Sequence, residues 1–305
     1  MEQQKKLIII DSSALLYRAF HALPPLTNAN GQPTGAVYGF LLILFKAIKD
    51  LKANYIVACF DTPKPTFRHE QFEAYKAHRP KTPDGIILQI PIIKEVLKSF
   101  NIPLYEKEGF EADDLIATIA NIAAKKEHTE VYIVSGDLDN LQLVDEKIKV
   151  YTLGRGIKDT VIYDREKVVE RFGVTPAQMN DFKALTGDHS DNVPGVPGIG
   201  KTTAADLVQR FGSVKNLYQE ISTDTALLKP KVKEALKLNK EKALLSLQLV
   251  ETVKNVELDF NLESCRFGNF DQEKVTAVFN ELGFASLISR LPTIIFNHLE
   301  LRNDF

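Results

Sequence analysis

The chain has 305 residues, of which 44% are hydrophobic and 26% charged, with a formal net charge of −2 at neutral pH. This composition is that of a globular protein with one large or two moderate domains. The two cysteines, Cys59 and Cys265, favour a reducing compartment over a disulfide framework. No apolar run is long enough to span a bilayer, so we expect a soluble cytoplasmic protein without a membrane partner. The near-neutral charge does not exclude a nucleic-acid partner, because an acidic site can mask a basic surface.

The chain divides into two regions of different character. Up to about Phe172, strand-like apolar runs alternate with helix-like runs at 36–51, 86–100 and 112–126. This alternation predicts an α/β domain with a largely parallel sheet covered by helices. After residue 176 strand signals largely disappear, and short helices punctuated by glycine and proline predict a mostly helical second domain. We therefore expect domains at 1–173 and 174–290, followed by a tail or linker at 291–305.

Three apolar, strand-like runs are each followed at once by an aspartate: Asp11, Asp61 and Asp137. Parallel sheets bind ligands in the crevice beyond the carboxyl ends of their strands, so these carboxylates should converge. Taken singly, each aspartate is equally well explained as a turn residue or helix N-cap. Their shared placement favours a functional site, and a cluster of like charges stays ionised only beside cations. A divalent metal ion would satisfy that requirement.

Further carboxylates strengthen the prediction of a metal site. GFEADDLIATIA places Glu111, Asp113 and Asp114 at the start of a helix, where capping and the helix dipole also favour acidic residues. Asp139, Asp188 and Asp191 add to the set. Oxygen donors without accompanying cysteine predict Mg²⁺ or Mn²⁺ rather than zinc. A pair of such ions is suited to the hydrolysis of phosphodiesters.

The segment from Thr62 to Gly85 interleaves basic and aromatic side chains. It contains Lys64, Phe67, Arg68, Phe72, Tyr75, Lys76, Arg79 and Lys81. A charge run of this kind is most often a solvated helical face.

The sequence GVPGIGKT, from Gly195 to Thr202, matches the expression for a nucleotide-binding P-loop. A P-loop must leave a β-strand, whereas TGDHSDNVPGVP contains two prolines and no strand pattern. We instead predict a tight hairpin into a helix from Lys201 to Phe211, whose first N–H groups are open to a phosphate. A simple packing turn between two helices is the alternative. The candidate DNA-binding residues here are Gly195, Gly198, Gly200, Lys201 and Thr202.

Several blocks, taken together, resemble a known family. They are IIIDSSALLYRAFHALPPLTNANGQPTGAVYGF, ACFDTPKPTFRHEQFEAYKAHRP, GFEADDLIATIA, VSGDLDNLQLV and LTGDHSDNVPGVPGIG. They are similar to the 5′-nuclease domain of bacterial DNA polymerase I, within the flap endonuclease and 5′-to-3′ exonuclease family. The resemblance implies a PIN-like three-layer domain, then a helix-three-turn-helix or helix-hairpin-helix domain with K⁺ at the hairpin. It also implies that residues of about 62–85 form a helical arch.

The resemblance further implies roles for individual residues. The two-ion acidic cluster falls on Asp11, Asp61, Glu111, Asp113, Asp114, Asp137, Asp139, Asp188 and Asp191. Lys76 and Arg79 match scissile-phosphate residues that act with Asp11, Asp61 and Asp114. Arg18, Arg68 and Tyr75 are expected to contact DNA. Two positions depart from the family pattern: Leu138 and Thr202 each stand where lysine is usual.

We therefore expect a monomeric, Mg²⁺-dependent, structure-specific 5′ nuclease of the bacterial cytosol. Its partner would be DNA with a 5′ flap, nick or 5′ end, in replication and repair, with a polymerase domain in the same longer chain. The alternatives are a P-loop ATPase acting on DNA and a non-catalytic DNA-structure-binding module. A haloacid-dehalogenase-type phosphatase is disfavoured, because Ser13 stands where that chemistry needs a second aspartate.

Overall fold

A computed structural model describes residues 4–154, 159–224 and 227–292. The strands are β1 Lys5–Asp11, β2 Tyr55–Cys59, β3 Leu104–Tyr105, β4 Thr129–Val134, β5 Ile148–Leu153 and β6 Thr160–Tyr163. They form one sheet in the order β3-β2-β1-β4-β5-β6. All neighbours are parallel except β5 and β6, which are antiparallel. The predicted, mostly parallel sheet is confirmed.

Helices cover this sheet and make up the region that follows it. Those before residue 174 are α1 Ser12–Ala22, α2 Gly35–Leu51, α3 Phe67–Gln71, α4 Asp84–Ile87, α5 Ile90–Ser99, α6 Ala112–Ala124 and α7 Arg165–Phe172. Those after it are α8 Met179–Thr186, α9 Lys201–Phe211, α10 Val214–Ser222, α11 Pro230–Leu238, α12 Lys240–Val250, α13 Gln272–Glu281 and α14 Ala285–Ile288. Among the described residues, no helix has the length and apolar character needed to cross a lipid bilayer.

Two helical predictions differ from the structure. The helix predicted over 86–100 is divided into α4 and α5, because Pro91 has no N–H to bond to the carbonyl of Ile87. The expected helical arch over about 62–85 is mostly turns, with α3 as its one complete helix in the described chain. Instead of standing open, this segment folds down towards the sheet.

Alternate residues of the central strand enter two apolar cores. Leu7 and Ile9 pack with α6 on one face, and this core continues into the helical region through α9. Ile8 and Ile10 pack with α2 and α5 on the other face. All of these residues are fully buried, as is typical of a central parallel strand covered by helices on both faces.

The last part of the described chain returns to the first domain. Residues 251–262, which we call the strap, lack regular secondary structure and cross α6, where the Val256 N–H donates to Thr118 Oγ1 at 3.1 Å. A 3₁₀ helix, Glu263–Cys265, and α13 follow. Val275 and Phe279 of α13 join the core behind α5. The last part of the expected helical domain at 174–290, from α13 onward, therefore packs against the first domain, and of the expected tail, residues 293–305 lie outside the described chain.

The connections of the sheet create a crevice at its carboxyl edge. The chain runs from β1 to β2 and β3 on one side, then crosses back to place β4 on the other side of β1. Neighbouring connections thus leave β1 and β4 in opposite directions, which is the arrangement that forms ligand sites in open α/β sheets. Asp11 and Asp137 follow from these two strands at that point.

Candidate active site

The aspartates at the ends of β1, β2 and β4 lie at this carboxyl edge, and each accepts a hydrogen bond there, Asp137 from the Asp139 N–H at 3.0 Å. Buried Asp11 accepts hydrogen bonds from Ser135 Oγ at 2.6 Å and from the Ala14 N–H at 3.1 Å. The first of these joins the ends of β1 and β4. Asp61, exposed at the rim, accepts from the Ala112 N–H at 2.8 Å, which joins the end of β2 to the start of α6. Asp11 is therefore the N-cap of α1 as well as a member of the crevice, whereas Asp61 connects distant parts of the chain.

The start of α6 brings a second acidic group to the same crevice. Glu111 is the N-cap of α6 and forms a reciprocal capping box with Asp114. Half-buried Asp113 instead accepts a hydrogen bond from Asn140 Nδ2, at 3.0 Å, on the 3₁₀ helix Asp139–Leu143 that follows β4. Helix capping therefore explains Glu111 and Asp114, whereas it does not explain Asp113.

Burial, together with the charges of neighbouring carboxylates, raises the pKa values of three of these acidic groups. Burial raises the pKa of Asp11 to about 7, and the charges of Asp61 and Asp137 act in the same direction. Burial also holds the pKa of Asp113 well above its usual range, with further contributions from Asp11 and Asp137. Burial raises the pKa of Asp139 to about 6 although a lysine opposes it. The crevice thus holds more negative charge than its own cations neutralise, which a hard divalent cation would relieve.

Residues 72–79, which we call the basic turn, lie over one side of the crevice. Lys76 Nζ is 2.6 Å from Glu111 Oε1, and Arg79 pairs with Asp191 Oδ1. Tyr75, only 3% exposed, donates its hydroxyl hydrogen to Glu111 or Asp191 at 3.2 and 3.3 Å. Lys76 and Arg79 thus reach two of the predicted ion ligands, whereas Tyr75 is not presented to DNA in this structure.

Lys183 is a crevice residue that the sequence analysis missed. From α8 its Nζ pairs with Asp139 Oδ1 and lies 2.9 Å from Asp188 Oδ2. Burial opposes its charge, yet the two carboxylates raise the pKa of Lys183. Burial likewise acts against ionisation of Asp188, but Lys183 and the hydroxyl of Ser190 lower its pKa to about 2. No sequence pattern marks this lysine, because its partners come from the 3₁₀ helix that follows β4 and from the loop beyond its own helix.

Arg68 and Asp114 are placed differently from the prediction. Arg68, expected to contact DNA, is 2% exposed, and its guanidinium donates to both oxygens of Asp114 at 2.8 Å. Asp114, expected to be a catalytic metal ligand, is fully buried by this pair. Neither side chain is open to a phosphate or an ion as the structure stands.

Arg18 also makes internal contacts. Its guanidinium donates to the carbonyl oxygen of Leu153 at 2.9 Å and to that of Gly154 at 2.5 Å. It lines a depression beside Gly136 and Leu138, just beyond β4. A phosphate contact by Arg18 is therefore still a prediction.

The predicted helix from Lys201 to Phe211 is α9, and the loop before it follows α8 rather than a strand. This context rules out the P-loop geometry. Gly198, Gly200, Lys201 and Thr202 are exposed, and no side chain caps the start of α9. Gly195 differs, because it is buried and its N–H donates to Ser246 Oγ at 2.9 Å. Gly195 is therefore a packing residue, whereas the others leave a helix start open to an anion.

The residues gathered here have the donor chemistry of a site for hard divalent cations, since they supply carboxylate oxygens. As the side chains stand, no set of three or more acidic, histidine or cysteine residues within 4–154, 159–224 and 227–292 is arranged to hold an ion. The expected convergence into a ready ion site is therefore incomplete. Four of the carboxylates, those of Glu111, Asp191, Asp139 and Asp188, are instead paired with Lys76, Arg79 and Lys183.

Two family models together match most of the chain. Residues 6–173 match the N-terminal resolvase-like domain of 5′-3′ exonucleases, and residues 174–273 match their C-terminal SAM fold. DNA polymerase I of Bacillus subtilis (strain 168) is 42% identical over 291 residues, covering 95% of this chain and 33% of that protein. The chain thus spans about a third of the length of this and similar curated relatives. A 5′-3′ exonuclease of Aquifex aeolicus is 39% identical over 290 residues, covering 95% of this chain and 96% of that protein.

Solved structures with the same fold include nucleases. A T5 5′-exonuclease with bound divalent metal (zinc) ions has a TM-score of 0.65 and 21% identity, covering 91% of this chain and 100% of that one. The catalytic core of Rad2 in complex with DNA substrate has a TM-score of 0.62 and 19% identity, covering 92% and 88%. The expected PIN-like α/β domain followed by helices is confirmed. By both family models, and by a relative of matching length, the chain belongs to the 5′-3′ exonuclease family of nucleases.

Proposed function

We propose that this chain is a Mg²⁺-dependent, structure-specific 5′ nuclease that hydrolyses phosphodiesters at 5′ flaps, nicks or 5′ ends of duplex DNA. The observation that carries the proposal is the gathering of carboxylates at the carboxyl ends of β1, β2 and β4, where burial, and then the charges of Asp61 and Asp137, raise the pKa of Asp11 to about 7. Such crowding is costly without a cation and suits chemistry on a phosphate that shares that cation.

Two Mg²⁺ or Mn²⁺ ions would be held by the acidic side chains. The proposed ligands are Asp11, Asp61, Glu111, Asp113, Asp137, Asp139, Asp188 and Asp191. Asp114 is left out, because its carboxylate is already saturated by Arg68 and backbone N–H groups. When bound, the ions would polarise the phosphodiester, activate a water molecule and stabilise the negative charge that develops. The protein itself supplies the oxygen donors and the exclusion of competing water.

Lys76 and Arg79 would exchange partners during the reaction cycle. Here they neutralise Glu111 and Asp191, with the Lys76 side chain 19% exposed and the Arg79 side chain 47% exposed. Once ions neutralise those carboxylates, the two cations can turn to the scissile phosphate without leaving a buried charge unpaired. There they would stabilise charge on the transferred phosphoryl group, which is commonly a large contribution to such catalysis.

The helical region would hold the duplex. The exposed start of α9, at Gly200, Lys201 and Thr202, offers backbone N–H groups and a cation to a phosphate, with K⁺ as the expected ion at the hairpin. Contacts of this kind grip the backbone without reading bases. The structure has no strand before Gly195 in the described loop, which removes the basis for an ATPase.

The proposed setting is DNA replication and repair in the bacterial cytosol, where the chain would act as a monomer and remove primers and flaps. The similarity to one third of DNA polymerase I supports a polymerase domain in the same longer chain. The relative that this chain covers at 96% supports a protein that acts without one. The nuclease chemistry proposed is the same in both settings.

Cleavage of labelled flap, nicked and blunt duplexes with Mg²⁺ tests the proposal. We expect cleavage near the junction of duplex and 5′ single strand, its loss on addition of EDTA, and its loss in Asp188→Ala. The matched control is Asp206→Ala, which removes an exposed aspartate of α9 paired with Arg210 and should cleave normally. Binding without Mg²⁺-dependent cleavage would instead indicate a non-catalytic DNA-binding module. Hydrolysis of ATP that depends on Lys201 would indicate an ATPase.

A further inference from the structure

Arg68 is the largest fully buried side chain in the described chain, and each of its three guanidinium nitrogens donates at least one hydrogen bond. Nη1 and Nη2 each donate to an oxygen of Asp114 at 2.8 Å. Nε donates to the carbonyl of Leu249 at 3.0 Å, and Nη2 also donates to that of Glu251 at 2.7 Å. This two-pronged geometry is specific to arginine, since the lysine ammonium has no planar fork.

Asp114 is saturated to the same degree. Its Oδ1 accepts from Arg68 and from the Val253 N–H at 2.8 Å, and its Oδ2 accepts from Arg68 and from the Glu111 N–H at 3.1 Å. A carboxylate has about four lone-pair positions, so these contacts fill it. The side chain is fully buried, so an ion or phosphate could reach it only by displacing one of these partners.

This pair joins three segments that are distant in sequence. Arg68 lies on α3, just before the basic turn, and Asp114 lies in the first turn of α6. The accepting and donating backbone groups of Leu249, Glu251 and Val253 lie where α12 ends and the strap begins. Two proposed ion ligands lie next to the pair. The Glu111 N–H donates to Asp114, and Asp113 precedes Asp114 in the chain. The position of both therefore depends on the pair.

We propose that Arg68 and Asp114 form a buried clip that positions Glu111 and Asp113 for ion binding and makes their position depend on docking of the strap. The inference rests on the proposed nuclease function, and it assigns both residues a positioning role. The strap carries the chain from the helical region back across α6. The clip thus connects the region proposed to hold the duplex with the carboxylates proposed to hold the ions.

Two other roles for these residues predict different results. A phosphate contact by Arg68 predicts that its loss lowers DNA affinity, with ion affinity unchanged. A direct ion ligand at Asp114 predicts that ion affinity falls when Asp114 is changed but not when Arg68 is changed. The clip predicts that either change lowers ion affinity, and that the two changes together add little beyond one of them.

A double-mutant cycle separates these roles without relying on catalysis. Arg68→Met, Asp114→Asn and the double variant are compared by calorimetric titration with Mn²⁺ in the absence of DNA. We expect each single change to weaken Mn²⁺ binding by about tenfold to 100-fold, as is typical for partners that orient metal ligands. Amide hydrogen exchange at residues 251–256 should become faster in the same variants. Arg68→Met removes the donor to the Glu251 carbonyl, and Asp114→Asn leaves one acceptor oxygen for Arg68 and the N–H groups of Val253 and Glu111 to share. Arg210→Met, which breaks the exposed pair with Asp206, is the control and should change neither quantity.

Arg68→Lys keeps the charge and loses the fork, so it carries the test if Arg68→Met does not fold. We expect weaker Mn²⁺ binding and faster exchange of the strap in this variant too. Wild-type values for both quantities in a folded Arg68→Lys or Arg68→Met protein would overturn the clip, as would strictly additive losses in the cycle. Failure of the wild-type protein to cleave flap DNA would refute the proposed function instead. The ion-binding and exchange measurements would still decide whether Arg68 and Asp114 form the clip.

Discussion

Lys76 Nζ lies 2.6 Å from Glu111 Oε1, so a side chain proposed to act on the phosphate is paired with one proposed to hold an ion. Glu111 and Asp191 raise the pKa of Lys76 against the effect of burial, so the lysine is a firmly charged partner. A divalent ion and Lys76 therefore compete for the same carboxylate. Ion binding should therefore be linked to release of the basic turn, because an ion that neutralises Glu111 frees Lys76 from its partner.

Replacing Lys76 by methionine tests this competition. We expect tighter binding of Mn²⁺ to the DNA-free protein, because the competing cation is gone, together with a fall in flap turnover of about 100-fold, because a stabilising charge at the phosphate is lost. Calorimetric titration and single-turnover cleavage measure the two effects.

The control for Lys76→Met is Lys64→Met, which removes an exposed lysine of the same segment, paired with Glu108. It should leave ion binding and turnover close to wild type, since exposed pairs contribute little. Weaker Mn²⁺ binding in Lys76→Met would show that the lysine supports the ion site instead of competing with it.

The crowding of carboxylates predicts opposite effects of Asp113→Asn with and without ions. In EDTA the variant should be more stable than wild type, because burial and the neighbouring carboxylates raise the pKa of Asp113, and an uncharged amide removes that repulsion. With Mg²⁺ the order should reverse, because wild type gains ion-binding free energy that the variant lacks. Thermal unfolding in EDTA and in a series of Mg²⁺ concentrations measures this. Equal gains from Mg²⁺ in both proteins would remove Asp113 from the proposed ligand set.

The sequence predicted the parts of the site that follow from local pattern. Asp11, Asp61 and Asp137 could be found because short apolar runs mark buried parallel strands, and the ends of such strands meet at one edge. Helix α9 could be placed because glycines and a lysine-led amphipathic run mark its start.

The rest depends on pairings between distant residues, which periodicity does not encode. Arg68 and Asp114 are separated by 46 positions, and Asp114 and Val253 by 139. In sequence Arg68 looks like a member of a surface charge run, and only the packed structure shows that it is buried. The return of α13 to the first domain was missed for the same reason. Val275 and Phe279 form an apolar stripe, but the sequence does not show which surface that stripe packs against.

The start of α9 predicts a graded effect of charge on duplex affinity. Lys201→Ala should weaken binding and lower the slope of log affinity against log salt by about 0.9, the value for one phosphate contact. Thr202→Lys should act in the opposite direction, because it adds a cation beside the same exposed N–H groups. Fluorescence anisotropy with a nicked duplex in EDTA measures both. If neither variant changes the salt dependence, α9 does not contact the DNA backbone.

Two glycines of the loop before α9 should respond very differently to alanine. At Gly195 a Cβ would lie 2.3 Å from the backbone nitrogen of Gly187, so the backbone would have to move. The φ of +61° adds conformational strain for any residue with a Cβ. At Gly198 a Cβ would meet no atom within 4 Å, and only the strain of φ +87° remains. We expect Gly198→Ala to lower the free energy of unfolding by about 1–3 kcal/mol and Gly195→Ala to lower it by more than that. Urea unfolding monitored by circular dichroism ranks the two, and a smaller loss at Gly195 would show that this loop is not held by close contact between Gly187 and Gly195.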